Sequence, residues 1–105
     1  MALPPKLTDE QRRQALAKAA VARQERAELK VQLKAGELTL EGLLELLPTS
    51  DSVAKMKVLA VLESLPGVGK VKARRTMEEI GISESRRVRG LGDQQRAALL
   101  RAFPS

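Results

Sequence analysis

Leu62-Glu63-Ser64-Leu65-Pro66-Gly67-Val68-Gly69-Lys70-Val71-Lys72-Ala73 reads as an apolar helix end, a Gly-Val-Gly turn, and a second helix that opens on two lysines. Without a Cβ, Gly67 and Gly69 let the backbone turn sharply and approach a ligand closely. Val68 between them completes the turn. The helix that follows points unpaired N–H groups and the positive end of its dipole at whatever lies in front. Such an opening suits an anion, phosphate above all. Lys70, Lys72, Arg74 and Arg75 follow closely. Cations near a helix N-terminus oppose the dipole, and an external negative charge resolves the conflict. The plainer alternative is a tight helix–helix turn with no ligand. A nucleotide-binding loop is ruled out, because G-x-x-x-x-G-K-[ST] needs glycine where Ser64 stands and a hydroxyl where Val71 stands.

The rest of the composition agrees with an anionic partner. The chain has 105 residues, one domain's worth, and a net charge of +6. Residues 65–105 hold nine Lys/Arg against four Asp/Glu, whereas residues 1–47 hold eight against seven. Charge is thus concentrated around the glycine turn. With no cysteine there is no disulfide framework or thiolate metal site. With no histidine the commonest general base and metal ligand is gone. Phe103 is the only aromatic, so stacking of unpaired bases on aromatic platforms is excluded. No cofactor, metal or small-molecule substrate is expected. No run nears the roughly 18 apolar residues of a membrane span, and the N-terminus has no secretory core. A soluble cytoplasmic protein, monomeric in solution, is the expectation.

Helical punctuation runs the length of the chain. After a loose lead-in containing Pro4 and Pro5, Thr8-Asp9-Glu10-Gln11 forms a capping box. A helix can then continue to Ala35, with Gly36 as its stop. Its length is roughly 40 Å. Leu29 and Leu33 can reach a core, but the earlier part is poor in large apolar residues and should project. Thr39 can cap a short helix carrying Leu40, Leu43, Leu44 and Leu47, ended by Pro48. Glu37, Glu41 and Glu45 line another face of that region. Ser50 or Ser52 can start a helix through Met56, and Val58, Leu59, Leu62 and Leu65 form the apolar face leading into the glycine turn. A helix over 69–80 buries Ala73, Met77 and Ile80, with Gly81 as a left-handed cap. Residues 83–92 read as a polar linker, and a last helix over 93–103 buries Leu99, Leu100 and Phe103. No clean period-2 alternation is evident. The fold class is all-α: a long N-terminal helix (1–36) and a compact helical domain (37–105).

The series Gly67-Val68-Gly69, Ala73, Met77, Gly81-Ile82, Arg87-Val88-Arg89, Leu91 and Gln94 or Gln95 resembles the helix-two-turns-helix domain, whose first half is a helix-hairpin-helix. That domain occurs in a ribosomal small-subunit protein, in DNA-repair glycosylases and in actinobacterial integration host factors. The chain is most similar to the last family. Met1-Ala2-Leu3-Pro4-Pro5, Lys55-Met56-Lys57-Val58 and Arg86-Arg87-Val88-Arg89-Gly90-Leu91-Gly92 carry the likeness. The resemblance implies a nucleoid-associated protein that binds and bends double-stranded DNA with little sequence preference and assists integration. An RNA- or ribosome-associated module using the same hairpin is the alternative, although the basic tail of the ribosomal relative is not matched after Ser105. Repair glycosylases place a catalytic Asp beyond the hairpin. Here Asp93 has the ordinary role of a helix cap, and no catalytic constellation is evident.

The family's arginine cluster maps onto Arg86, Arg87 and Arg89. Their mutual repulsion, with only Glu84 near, independently favours an outside anion, and guanidinium forks match phosphate oxygens or enter a narrow minor groove. Internal pairing of Arg87 or Arg89 with Glu78 or Glu79 is the alternative for one of them. Arg23, Arg26, Lys30 and Lys34 share one face of the long helix and make a candidate second DNA contact. A solvated basic face, neutralised by Glu25 and Glu28, is the competing account.

Overall fold

The computed structural model describes residues 8–104. The proline-containing lead-in and its share of the family likeness lie outside the described residues. Six α-helices and one 3-10 turn make up the described chain: α1 (Asp9–Lys34), α2 (Leu40–Glu45), α3 (Asp51–Lys55), α4 (Val58–Ser64), α5 (Gly69–Ile80), the 3-10 turn Val88–Gly90, and α6 (Asp93–Ala102). The all-α expectation holds.

Local chemistry sets each boundary. At the start of α1 the Gln11 N–H donates to Thr8 Oγ1 (3.1 Å) and the Thr8 N–H donates to Gln11 Oε1 (3.0 Å), a reciprocal capping box. Thr39 caps α2 by accepting from the Gly42 N–H at 3.0 Å, and Ser50 caps α3 by accepting from the Val53 N–H at 3.2 Å. Gly81, at φ +88°, ends α5 and lets the Ile82 N–H reach the Met77 carbonyl at 2.8 Å. The last helix departs from expectation. Its N-cap is Gly92, not Asp93, and the Gln95 side chain accepts from the Gly92 N–H at 3.1 Å. Asp93 instead occupies the first helical position, where a carboxylate favours the dipole.

The core gathers Leu33 from α1, Leu40, Leu43 and Leu44 from α2, Val53 from α3, Val58, Val61 and Leu62 from α4, Ala73 and Met77 from α5, and Leu99 and Phe103 at the far end of α6. Ile80 and Leu100 are only partly buried against it. Only the C-terminal part of α1 joins this cluster. Leu16 is 62% exposed and Val21 is 55% exposed, so the first half of α1 stands out from the packed domain. A polar tie reinforces the docked half: Ser52 Oγ, on a buried residue of α3, donates to the Glu25 carboxylate of α1. Glu25 thereby ties α1 to α3, and it forms no ion pair with the basic face among the described residues.

Residues 83–92 are more than a polar linker. Val88 is 1% exposed and Leu91 is 7% exposed, both within the core. An isolated antiparallel bridge pairs Lys57 with Arg87. The Val58 N–H donates to the Arg86 carbonyl (2.9 Å) and the Val88 N–H to the Met56 carbonyl (2.8 Å). Each side of the bridge alternates: Met56, Val58 and Val88 are buried, while Lys55, Lys57, Arg87 and Arg89 face solvent. A period-2 pattern therefore does exist in Lys55-Met56-Lys57-Val58, too short to stand out beside the helices.

Candidate functional site

The glycine turn joins α4 to α5 as its sequence suggests. Gly67 has φ +73° and Gly69 φ +70°, both left-handed, with Val68 between them as the N-cap of α5. A Cβ built on either glycine meets nothing within 4 Å, so the surface before the turn is open. No side chain caps α5, and its first turn holds no acid. Lys70 and Lys72 stand exposed at that opening. The helix presents an uncapped positive end ringed by cations, an arrangement that favours an oxyanion.

The remaining cations divide by what they touch. Arg74 pairs with Glu84 at 3.2 Å, so the acid nearest the arginine cluster is engaged with α5 instead. Both partners are about half exposed, and such a pair exchanges readily with an outside anion. Arg86 Nη1 donates to the Gly90 carbonyl at 2.7 Å, and Arg87 Nη1 donates to the Lys55 carbonyl. Neither arginine meets Glu78 or Glu79, and Arg89 is exposed with no polar partner among the described residues. Lys72 Nζ lies 5.8 Å from the Phe103 ring centroid, a cation–π contact.

The fold brings two distant sets of cations together. A cleft of about 190 Å³ is lined by Arg26 and Lys30 of α1, Lys55, Met56, Lys57 and Ala60, and Arg87. It contains five cations and no carboxylate. A shallower recess continues it past Lys30 and Ala60 to Lys34 and Glu63. Arg23 lines neither. Within the cleft, Lys57 and Arg87 are directly opposed on the bridge. Like charges so placed repel, and a bound anion relieves them. Lys55 is partly neutralised by Asp51 at 3.0 Å. Lys55 and Lys57 are additions to the candidate site. Besides the family likeness that Lys55-Met56-Lys57-Val58 carries, the signal for them was its short alternation, which places both lysines on one face.

The S13-like H2TH domain model matches residues 33–103. The chain is 59% identical over 105 residues to the integration host factor of Streptomyces coelicolor, covering 100% of this chain and 97% of that one. It is 57% identical over 103 residues to the integration host factor of Mycolicibacterium smegmatis, covering 98% and 97% of the two chains. With the Mycobacterium tuberculosis integration host factor it shares 56% over 105 residues, 100% and 99% of the two. A solved structure of sIHF bound to an 8 bp palindromic DNA superposes with a TM-score of 0.79 at 56% identity, covering 83% of this chain and 98% of that one.

Proposed function

The chain belongs to the integration host factor family, with an S13-like H2TH domain, and from that premise we propose that it binds double-stranded DNA through its phosphates, with little sequence preference, and shapes the nucleoid. The observation that carries the reading is the pairing of two anion-seeking features on one small fold. One is the uncapped start of α5 behind two left-handed glycines, with Lys70, Lys72 and Arg74 following. The other is the carboxylate-free cleft where Lys57 opposes Arg87 beneath Arg26 and Lys30. That a 56% identical relative has been solved with DNA adds independent support.

Phosphate oxygens accept from the backbone N–H groups of the first turn of α5 and from the lysines beside it. Gly67 and Gly69 admit the strand close to the backbone, and Val68 packs under the turn. Arg89, unencumbered, inserts into a groove or forks onto a phosphate, while Arg86 and Arg87 hold the ribbon in place and add charge. Arg26, Lys30 and Lys34 extend the track along α1, with Arg23 further out on the same face. Contacts on two faces of a helix-sized protein bend a deformable duplex without base readout. Bending of this kind is the means by which the protein assists integration and compacts the chromosome. The role is architectural and not enzymatic, exercised in the cytoplasm on the nucleoid.

The S13-like character of the domain makes RNA the competing partner. Titrating one length of duplex as DNA and as RNA, at two salt concentrations, decides between them. Tighter binding to DNA at both salts is expected. Equal or tighter binding to the RNA duplex overturns the proposal.

A further inference from the structure

A cavity of about 380 Å³ opens between the α1–α2 connection, the glycine turn and the end of α6. Leu38, Leu65, Val68, Ala102 and Phe103 are among the residues that line it, together with Lys72. Its size falls in the range of small-molecule sites, and its lining has their usual character, apolar with few polar groups. Leu38, Leu65 and Val68 pack against the core from one side yet remain partly exposed on the other. They present apolar surface that no residue of the described chain covers.

The polar side chains are few, and both can donate a hydrogen bond. The Lys72 ammonium, held over the Phe103 ring at 5.8 Å, is the only charged side chain in the lining. Thr39 is the only side-chain hydroxyl there. Its oxygen accepts from the Gly42 N–H, which leaves the hydroxyl proton to donate. No carboxylate lines the space. An apolar wall with one cation, one hydroxyl donor and no acid complements a molecule with an apolar body and a single negative group. A neutral apolar molecule forgoes the Lys72 interaction, and a cation is repelled.

We propose that this cavity binds a small amphipathic organic anion, an aromatic or aliphatic body bearing one carboxylate- or sulfonate-type group, and that its occupancy draws Lys72 away from the DNA-facing side of the turn. The second half of the proposal rests on the DNA reading given above. Lys72 lies one helical turn from Gly69, Leu65 precedes the glycines and Val68 lies between them, so a ligand here touches both the charge and the hairpin turn. Because coupling between two ligands is reciprocal, DNA must weaken the small anion by the same factor as the anion weakens DNA.

The test uses the full chain with 8-anilino-1-naphthalenesulfonate as the anionic probe and N-phenyl-1-naphthylamine as its uncharged counterpart. Fluorescence titration and methyl NMR are expected to give one saturable site, with shifts confined to Leu38, Leu65, Val68, Ala102 and their neighbours. Lys72→Met should weaken the sulfonate at least fivefold and change the neutral probe less than twofold. Ala102→Phe, at an exposed helix-end position, should fill the cavity and abolish both while leaving the far-ultraviolet dichroism unchanged. Ala102→Leu provides a smaller filler with a partial effect in the same direction. Shifts elsewhere, absence of saturation, or equal losses for both probes in Lys72→Met overturn the site. In a separate arm, the saturating sulfonate should weaken duplex DNA at least fivefold in the parent and not in Ala102→Phe. Probe binding with unchanged DNA affinity overturns the coupling, and a parent that binds no DNA overturns the functional reading while the probe arm still tests the site.

Discussion

Arg87 and Arg89 are two residues apart, yet truncating them should produce different signatures. Arg89 makes no polar contact within the described protein, whereas Arg87 donates to the Lys55 carbonyl and stands on the bridge to Lys57. If each meets one phosphate, either alanine variant should flatten the plot of log K against log[salt] by about 0.9. Measured against a 1 M reference, that slope is a loss of about eightfold at 0.1 M salt and about threefold at 0.3 M. The stability effects should separate them. Arg89→Ala should leave stability within about 0.5 kcal/mol of the parent, as for an exposed side chain without partners. Arg87→Ala loses an exposed, charge-assisted hydrogen bond that closes the ribbon, a cost of about 1 kcal/mol. For a chain of this size that lowers Tm by about 4 °C. Fluorescence anisotropy across a salt series, with thermal melts on the same samples, reads both quantities. An Arg89→Ala variant that loses affinity with an unchanged salt slope would falsify the phosphate contact. A melt shifted as far as that of Arg87→Ala would refute the claim that Arg89 is free of the fold.

Other expectations follow from neighbouring features. The parent should show a salt slope of roughly −4 to −5, corresponding to about four to six neutralised phosphates, and scrambling the duplex sequence should change affinity little; a flat slope removes the electrostatic account. Gly69→Asp and Gly69→Asn have nearly the same shape and tolerate φ +70° better than most side chains, each costing about 1 kcal/mol. The aspartate should bind DNA much more weakly than the asparagine in the same assay, and equal affinities would mean that no phosphate sits at the turn. Ser52→Ala frees the Glu25 carboxylate from its tie to α3 and should cost about 1–2 kcal/mol, with hydrogen exchange quickening in the second half of α1. Unchanged protection there would show that the tie does not anchor the helix. Leu62→Ala, at a fully buried core position between the hairpin helices, should cost about 2–5 kcal/mol by chemical denaturation.

Much of the architecture was legible because helix ends here are written in short-range chemistry. Thr8 with Gln11, Thr39, Ser50 and Gly81 each act within four residues of themselves, so their effect can be read along the chain. The misjudged stretch, residues 83–92, fails for the same reason. Val88 and Leu91 are buried by a 3-10 turn spaced three apart within a run of arginines, too short for a periodic signal. Partners of the candidate site were harder to foresee. Glu84 lies nearest the arginines in sequence but reaches back ten positions to Arg74, because the bend at Gly81 folds it over α5. Likewise Arg26 and Lys30 share a cleft with Arg87 only because Leu29 and Leu33 dock α1 against the domain. Charge proximity in three dimensions is a product of packing, and local patterns carry no record of it.

The glycine turn imposes a demand of handedness, not of space. At Gly67 and Gly69 a Cβ would meet open surroundings, while the dihedral angles are those of a mirror-image residue. A D-alanine placed at position 69 by chemical synthesis would adopt φ +70° without strain and would restrict the unfolded chain, stabilising the protein by up to about 1 kcal/mol. L-alanine at the same site combines two penalties, a strained backbone and a methyl group in the path of the ligand. The D-enantiomer removes the backbone strain and carries its methyl at the other α-hydrogen position. Comparing the two enantiomers thus isolates what the turn needs in order to fold, and any difference in DNA affinity that remains reports on the side of the backbone the methyl occupies.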